Sequence, residues 1–225
     1  MEENKNKVKL ALIFNAIIVL MTVFASVAMF CGFKFMSGYD LVLDSNKLGM
    51  FRFFTVQSNL FMGIVALIFA IKEYKYLKDD KEISLSSYVL KMVATVSVAL
   101  TFIVVFTYLG PVVKGGLAAL LMNSNLFFHL FIPVFSVITF IFLENDKKID
   151  FKYTIYGLIP TFLYEIYYLS NILVHMENNS VSPVYDWYYF VQNGVSGALI
   201  IAPIMLFITY ILCLIIWGLN RIYKN

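Results

Sequence analysis

Two short polar runs, each opening a long apolar stretch, carry the side chains best able to do chemistry. The first is Arg52-Phe53-Phe54-Thr55-Val56-Gln57-Ser58-Asn59-Leu60 and the second Asn123-Ser124-Asn125-Leu126-Phe127-Phe128-His129. At helical spacing Arg52, Thr55 and Asn59 share a face that Gly63 continues, and Asn125 and His129 share another that Ser136 continues. Thr55 and His129 make sense together as a nucleophile and its general base. A threonine hydroxyl attacks only when a neighbour takes its proton, and an imidazole can do so near neutral pH. Such a pair suits acyl transfer, most simply hydrolysis of an ester whose acyl chain lies in a bilayer. The plainer alternative bonds the Thr55 hydroxyl back to a helix carbonyl and packs His129 between helices.

Supporting groups are grouped around this pair. Asn59 and Asn125, each one turn from the candidate residues, could donate to an oxyanion or tie helices together. Glu165 has three readings: it orients His129 as an acidic third member would, holds the charge of Arg52, or makes an interhelical hydrogen bond. Arg52 meets a lipid headgroup or a substrate carboxylate. Tyr164, Tyr168, Asn171 and Gln192 are candidate substrate or headgroup contacts. So are Tyr185 and Trp187, in a cluster running to Phe190 that anchors at the interface or folds back to roof a lipid pocket. Among ionisable groups, only His129 and Glu165 read as lying at depth inside apolar segments, where such groups tend to mark function.

The elements that must position these residues follow from hydropathy. Hydrophobic residues make up 61% of the 225 and charged residues 14%, with a mean hydropathy of +0.82; a soluble domain carries about a quarter of its residues as charges. Six runs approach the roughly 20 residues that cross a hydrocarbon core. They predict an all-α polytopic membrane protein, a single domain with spans at about 10–30, 50–71, 88–109, 124–143, 151–173 and 194–217. The first run is too long for the apolar part of a signal peptide, and Cys31-Gly32-Phe33 is a poor cleavage site. Thirteen Lys and Arg fall on the side of the N-terminus and four (Lys34, Lys47, Arg52, Lys114) on the other. That bias predicts both termini in the cytoplasm. Thr55 and His129 then lie at one depth, roughly 8 Å below the outer surface at 1.5 Å per residue.

Several function classes have nothing to stand on. There is no HExxH, Walker or GxSxG motif, and no Cys or His cluster with metal-ligand spacing. No cofactor, nucleotide or nucleic acid is expected. Two cysteines make no disulfide framework. Polar groups gather in the outer halves of the spans, which suggests a cavity rather than a pore, and no internal repeat suggests a transporter. The expected partners are membrane lipids and a lipid ester substrate, with the chain acting as a monomer. A lipid- or small-molecule-binding membrane protein would use the same cavity without turnover.

Three motifs carry a resemblance: Phe53-Phe54-Thr55-Val56-Gln57-Ser58-Asn59-Leu60, Asn125-Leu126-Phe127-Phe128-His129 followed by Pro133, and the loop Ser182-Pro183-Val184-Tyr185-Asp186. Together they resemble bacterial relatives of the androgen-induced membrane hydrolase family, which includes the androgen-dependent regulator of tissue factor pathway inhibitor. Its eukaryotic members are multi-pass threonine hydrolases of fatty acid esters of hydroxy fatty acids. The resemblance covers about Met50 to Trp217. It implies that Thr55 matches the family's nucleophile and His129 its histidine. The chain departs from the bacterial pattern after Pro133, where Val134-Phe135-Ser136-Val137-Ile138 stands in place of an acidic, tryptophan-containing motif.

Overall fold

A computed structural model describes residues 2–40, 42–178, 180–190 and 195–223. Helix makes up 77% and strand 2%, so the all-α expectation holds. Five helices are long and apolar enough to cross a membrane. They belong to α1 (Glu2–Cys31), α2 (Phe54–Asp79), α3 (Leu85–Val112) and α4 (Ser124–Leu143), and α6 (Val195–Ile222). The stretch predicted as the fifth span is built differently. Its first eight residues, Phe151–Leu158, form a 3₁₀ helix, and α5 proper is the 16-residue Ile159–Val174. Pro160 stands at the change of register, because it has no N–H to give to the carbonyl of Tyr156.

Helix ends overrun the apolar runs. α1 starts at Glu2 rather than near Leu10, and α2 continues through Lys72–Asp79 to a left-handed Asp80 that closes it. The residues there are good helix formers (Lys, Glu, Leu), and a helix has no reason to stop where hydropathy does. At its other end α2 begins at Phe54, after a 3₁₀ helix over Lys47–Arg52. Thr55 therefore sits in the first turn of α2 rather than five residues into it.

α3 is the central helix. Of its most apolar stretch 67% is buried, against 17% for α6, and α3 packs on α2, α4, α5 and α6. The outer faces of α1 and α6 expose Leu20, Val23, Phe24, Leu199, Ile200 and Phe207, as a lipid-facing surface does. α1 and α2 form the most extensive helix pair, and Gly63 permits their approach. A Cβ built there would meet Thr22 Cγ2 at 2.6 Å and Thr22 Cβ at 2.9 Å. Thr22 is β-branched and cannot swing aside freely. Gly63→Ala is expected to lower stability by about 1–3 kcal/mol, the range for overpacking, as a reduced thermal midpoint in detergent.

Two turns of wide, i→i−5 bonding precede prolines. Gly110 N–H bonds Val105 O before Pro111, and Ile132 N–H bonds Phe127 O before Pro133. In an α-helix Pro133 would face the His129 carbonyl with no N–H and a clashing ring. The extra residue of a π-turn absorbs both problems. At Pro133 the hydrogen-bond register of α4 changes, with His129 inside the widened turn. The connection between α3 and α4 contains a short helix, Gly116–Leu120. After α5 comes a small hairpin, β1 (Met176–Glu177) paired antiparallel with β2 (Ser180–Val181).

Candidate functional site

Thr55 is buried at the start of α2, 6% exposed. No side chain of α2 itself caps this end, leaving the first amides without helix partners. Tyr188, from the loop after β2, does the capping: its hydroxyl accepts from the Phe54 N–H at 2.9 Å and interacts with the Thr55 and Tyr164 hydroxyls. Burial pushes the Tyr188 hydroxyl above its ordinary pKa, so it stays protonated and able to donate.

His129, fully buried on α4, directs Nδ1 to the main-chain oxygen of Leu120 at 2.6 Å. A carbonyl only accepts, so Nδ1 carries the hydrogen, and in the neutral ring Nε2 is the bare lone pair. Leu120 closes the short helix Gly116–Leu120, where carbonyls are left free by the helix end. Among the described residues Nε2 has no hydrogen-bond partner. The Thr55–His129 hydrogen bond is therefore not made in this conformation. The two residues are nevertheless neighbours in the architecture. Asn59 Nδ2 donates to Thr55 O at 2.7 Å and across to Phe128 O at 3.0 Å, tying the turn that holds the threonine to the turn that holds the histidine.

The remaining predicted residues are distributed as follows. Both N–H bonds of Asn59 are committed as above, and those of Asn125 go to Val42 O at 2.9 Å and Leu43 O at 3.5 Å; neither amide has a free donor. Glu165 does not orient His129, because the Leu120 carbonyl does. Nor does Glu165 pair with Arg52 among the described residues; the Arg52 guanidinium lies over Phe53 at 4.8 Å and Trp187 at 5.7 Å. Tyr164 donates to Arg52 O at 2.7 Å and accepts from Trp187 Nε1 at 3.0 Å. Tyr168 donates to Asp186, and Asn171 bonds Tyr185 O at 2.8 Å. Tyr185 stacks on His175 with ring centroids 3.6 Å apart. Trp187 and Tyr188 are buried, so this loop folds back over the helix ends. Gln192 lies outside the described residues.

Of these groups Thr55, Tyr164, Glu165, Tyr168 and Tyr188 line a cavity of about 60 Å³. Thr55, Thr101, Thr161 and Glu165 are polar lining; Tyr164, Tyr168, Tyr188 and Phe190 close it, and Leu100, Val104, Ile201 and Met205 supply apolar walls. His129 is not among the lining residues. Beside it runs a larger cleft of about 620 Å³ along α2, α3 and α5, sharing Phe54 and Tyr164 and passing Ser58, Phe61 and Val93.

A second polar assembly, at the opposite end of the bundle, was not foreseen. Asn15, Glu73, Lys91 and Glu144 are all buried, at 0 to 2% exposure. Lys91, counted in the sequence among the surface cations, makes an ion pair with Glu144 at 3.0 Å and lies over the Phe69 ring at 5.0 Å. Depth is therefore not reserved for His129 and Glu165. The available signals were Asn15 inside an apolar run and Lys91 inside the start of another. Among the described residues no group of three or more His, Cys, Asp or Glu could hold a metal ion.

A helical bundle with five membrane-length apolar helices, a cavity at one end and an ionic cluster at the other defines the class: a helical, multi-span membrane protein. Compared with family models, with curated proteins and with solved structures, the chain finds no match in any of the three.

Proposed function

We propose that the chain is an intramembrane hydrolase of lipid esters, a monomer with six membrane crossings and both termini on the cytoplasmic side of a bacterial cell membrane. Length supports the sixth crossing. Eight 3₁₀ residues and 16 α residues extend about 40 Å end to end, more than the roughly 30 Å of a hydrocarbon core. The Lys and Arg bias supports the orientation, with the Thr55 end outward.

The observation that carries the reading is Thr55 lining a largely apolar cavity while Asn59 ties its turn to that of a histidine with a bare Nε2. In the proposed reaction an acyl chain lies in the cleft along α2, α3 and α5, and the ester carbonyl reaches Thr55. Thr55 Oγ attacks the carbonyl carbon and His129 Nε2 takes the hydroxyl proton. The tetrahedral adduct collapses, the C–O bond to the leaving alcohol breaks, and the imidazolium returns the proton to that oxygen. Water then attacks the acyl-Thr55 ester with His129 again as base, releasing the fatty acid. Since the Asn59 and Asn125 amides are committed, the Tyr188 hydroxyl at the positive end of α2 is the donor beside the developing oxyanion. The Thr55–His129 contact closes on substrate binding, as catalytic hydrogen bonds that are long in free enzymes do.

A second reading, a lipid-binding protein without turnover, is favoured by one observation: His129 stands off the cavity and makes no bond to Thr55. Labelling purified protein with a lipid-tailed fluorophosphonate separates the two. The hydrolase reading expects an adduct that mass spectrometry assigns to Thr55. Well-folded protein that carries lipid and takes no label would replace it with the binding reading.

A further inference from the structure

The buried charges at the end of the bundle opposite Thr55 do not balance. Lys91 is matched by Glu144 at 3.0 Å and Lys7 by Asp146 at 3.4 Å. Glu73, 2% exposed, has no cation within ion-pair distance among the described residues. Its partner is neutral: Asn15 Nδ2 donates to Glu73 Oε2 at 2.9 Å and to Glu144 Oε1 at 2.6 Å. One amide group thus holds two carboxylates side by side, while Asn15 Oδ1 is taken by Lys91. Glu144 Oε2 is buried and has no hydrogen-bond partner among the described residues.

α1 contributes Lys7 and Asn15, and α2 contributes Glu73 with Tyr76 one turn on, bonded to Asn4 at 3.0 Å. α3 contributes Lys91 and Tyr88, whose hydroxyl reaches Asp146 at 3.4 Å. The segment after α4 brings Glu144, Asp146 and the neutral Asn145, which accepts from Lys7 Nζ; among the described residues α6 brings the neutral Asn220, spent on main-chain oxygens. Among the described residues two ammonium groups face three carboxylates, and an uncompensated buried charge is costly. A carboxylate oxygen without a partner, beside a carboxylate without a counter-ion, is an arrangement that takes up one positive charge.

We propose that Glu73 and Glu144, bridged by Asn15, form a binding site for one small monovalent cation, a proton or Na⁺, with Glu73 as the group that gains the charge. The site is independent of the hydrolase reading. It recognises charge and size: a proton makes Glu73 a donor, and Na⁺ takes oxygen ligands from both carboxylates.

The experiment uses the full chain in detergent. Infrared difference spectra are recorded from about pH 5 to about pH 9, and thermal midpoints are measured in Na⁺, K⁺ or choline at fixed ionic strength. A protonated-carboxyl band that titrates in wild type and is missing from Glu73→Gln supports a proton. A midpoint raised by Na⁺ alone, with that response lost in Glu73→Gln, supports Na⁺. Neither signal in wild type overturns the proposal, and a signal that survives Glu73→Gln but vanishes in Glu144→Gln overturns the assignment to Glu73. If Glu73→Gln fails to accumulate, Glu73→Asp takes its place. It keeps the carboxylate and moves it, so the titration midpoint or Na⁺ response shifts; an unchanged response overturns the proposal.

Discussion

Thr55→Ala is expected to reduce lipid-ester turnover to background while the protein still accumulates and runs as wild type on gel filtration. Thr55 lines the cavity, and the turn is held by others: Tyr188 bonds the Phe54 amide and Asn59 bonds the Thr55 carbonyl. The substitution removes the reactive oxygen and little of the scaffold. Thr55→Ser, which restores a hydroxyl, should recover turnover that Thr55→Val, similar in shape, does not. His129→Gln should lose about 10²- to 10⁴-fold in turnover, the usual scale for removing a general base, without losing substrate affinity to the same degree. Turnover retained in Thr55→Ala would remove the nucleophile from the proposal. Turnover lost equally in Thr55→Ala and Thr55→Ser would point to packing rather than chemistry.

Lys91→Met should be the most destabilising single change in the ionic cluster. The lysine is fully buried and paired with Glu144 at 3.0 Å, and its ammonium also bonds Asn15. Methionine fills the stem but leaves two carboxylates, Glu73 and Glu144, around one amide. Removing one partner of a buried pair costs about 3–5 kcal/mol. Unfolding by increasing SDS in mixed micelles would read this as an early transition. Adding Glu144→Gln to Lys91→Met should restore much of the loss, because it is the stranded charge rather than the missing bond that is expensive. A single variant that unfolds with wild type would mean the pair is not formed in the membrane.

What could be read from the sequence was periodic and local. Polar residues at helical spacing on two runs predicted that α2 and α4 face one another, and the bond from Asn59 to Phe128 joins those faces. Long-range returns were not legible. Tyr188 lies 134 positions from the amide it caps, and nothing local to either marks the meeting. Leu120 aligns His129 through a main-chain oxygen, which no side-chain pattern can announce. Hydropathy also misled at the other end. The predicted span stopped at about 71, yet α2 runs on through Asp79 and turns Glu73 inward. Pro111 and Pro133 stand plainly in the sequence, but that wide turns precede them depends on what packs around them.

The hold on His129 has a consequence for how such a site changes over generations. An imidazole steered by an aspartate loses its steering when one codon changes. Here the acceptor belongs to the peptide backbone, and every residue type at position 120 offers the same oxygen. What is exposed to mutation instead is the hinge that aims the short helix: Gly115 and Gly116 both have positive φ, at 89° and 62°, and a Cβ at Gly115 would meet that of Ala119 at 2.9 Å. Drift that disarms the histidine would thus enter through two glycines that touch no reacting atom.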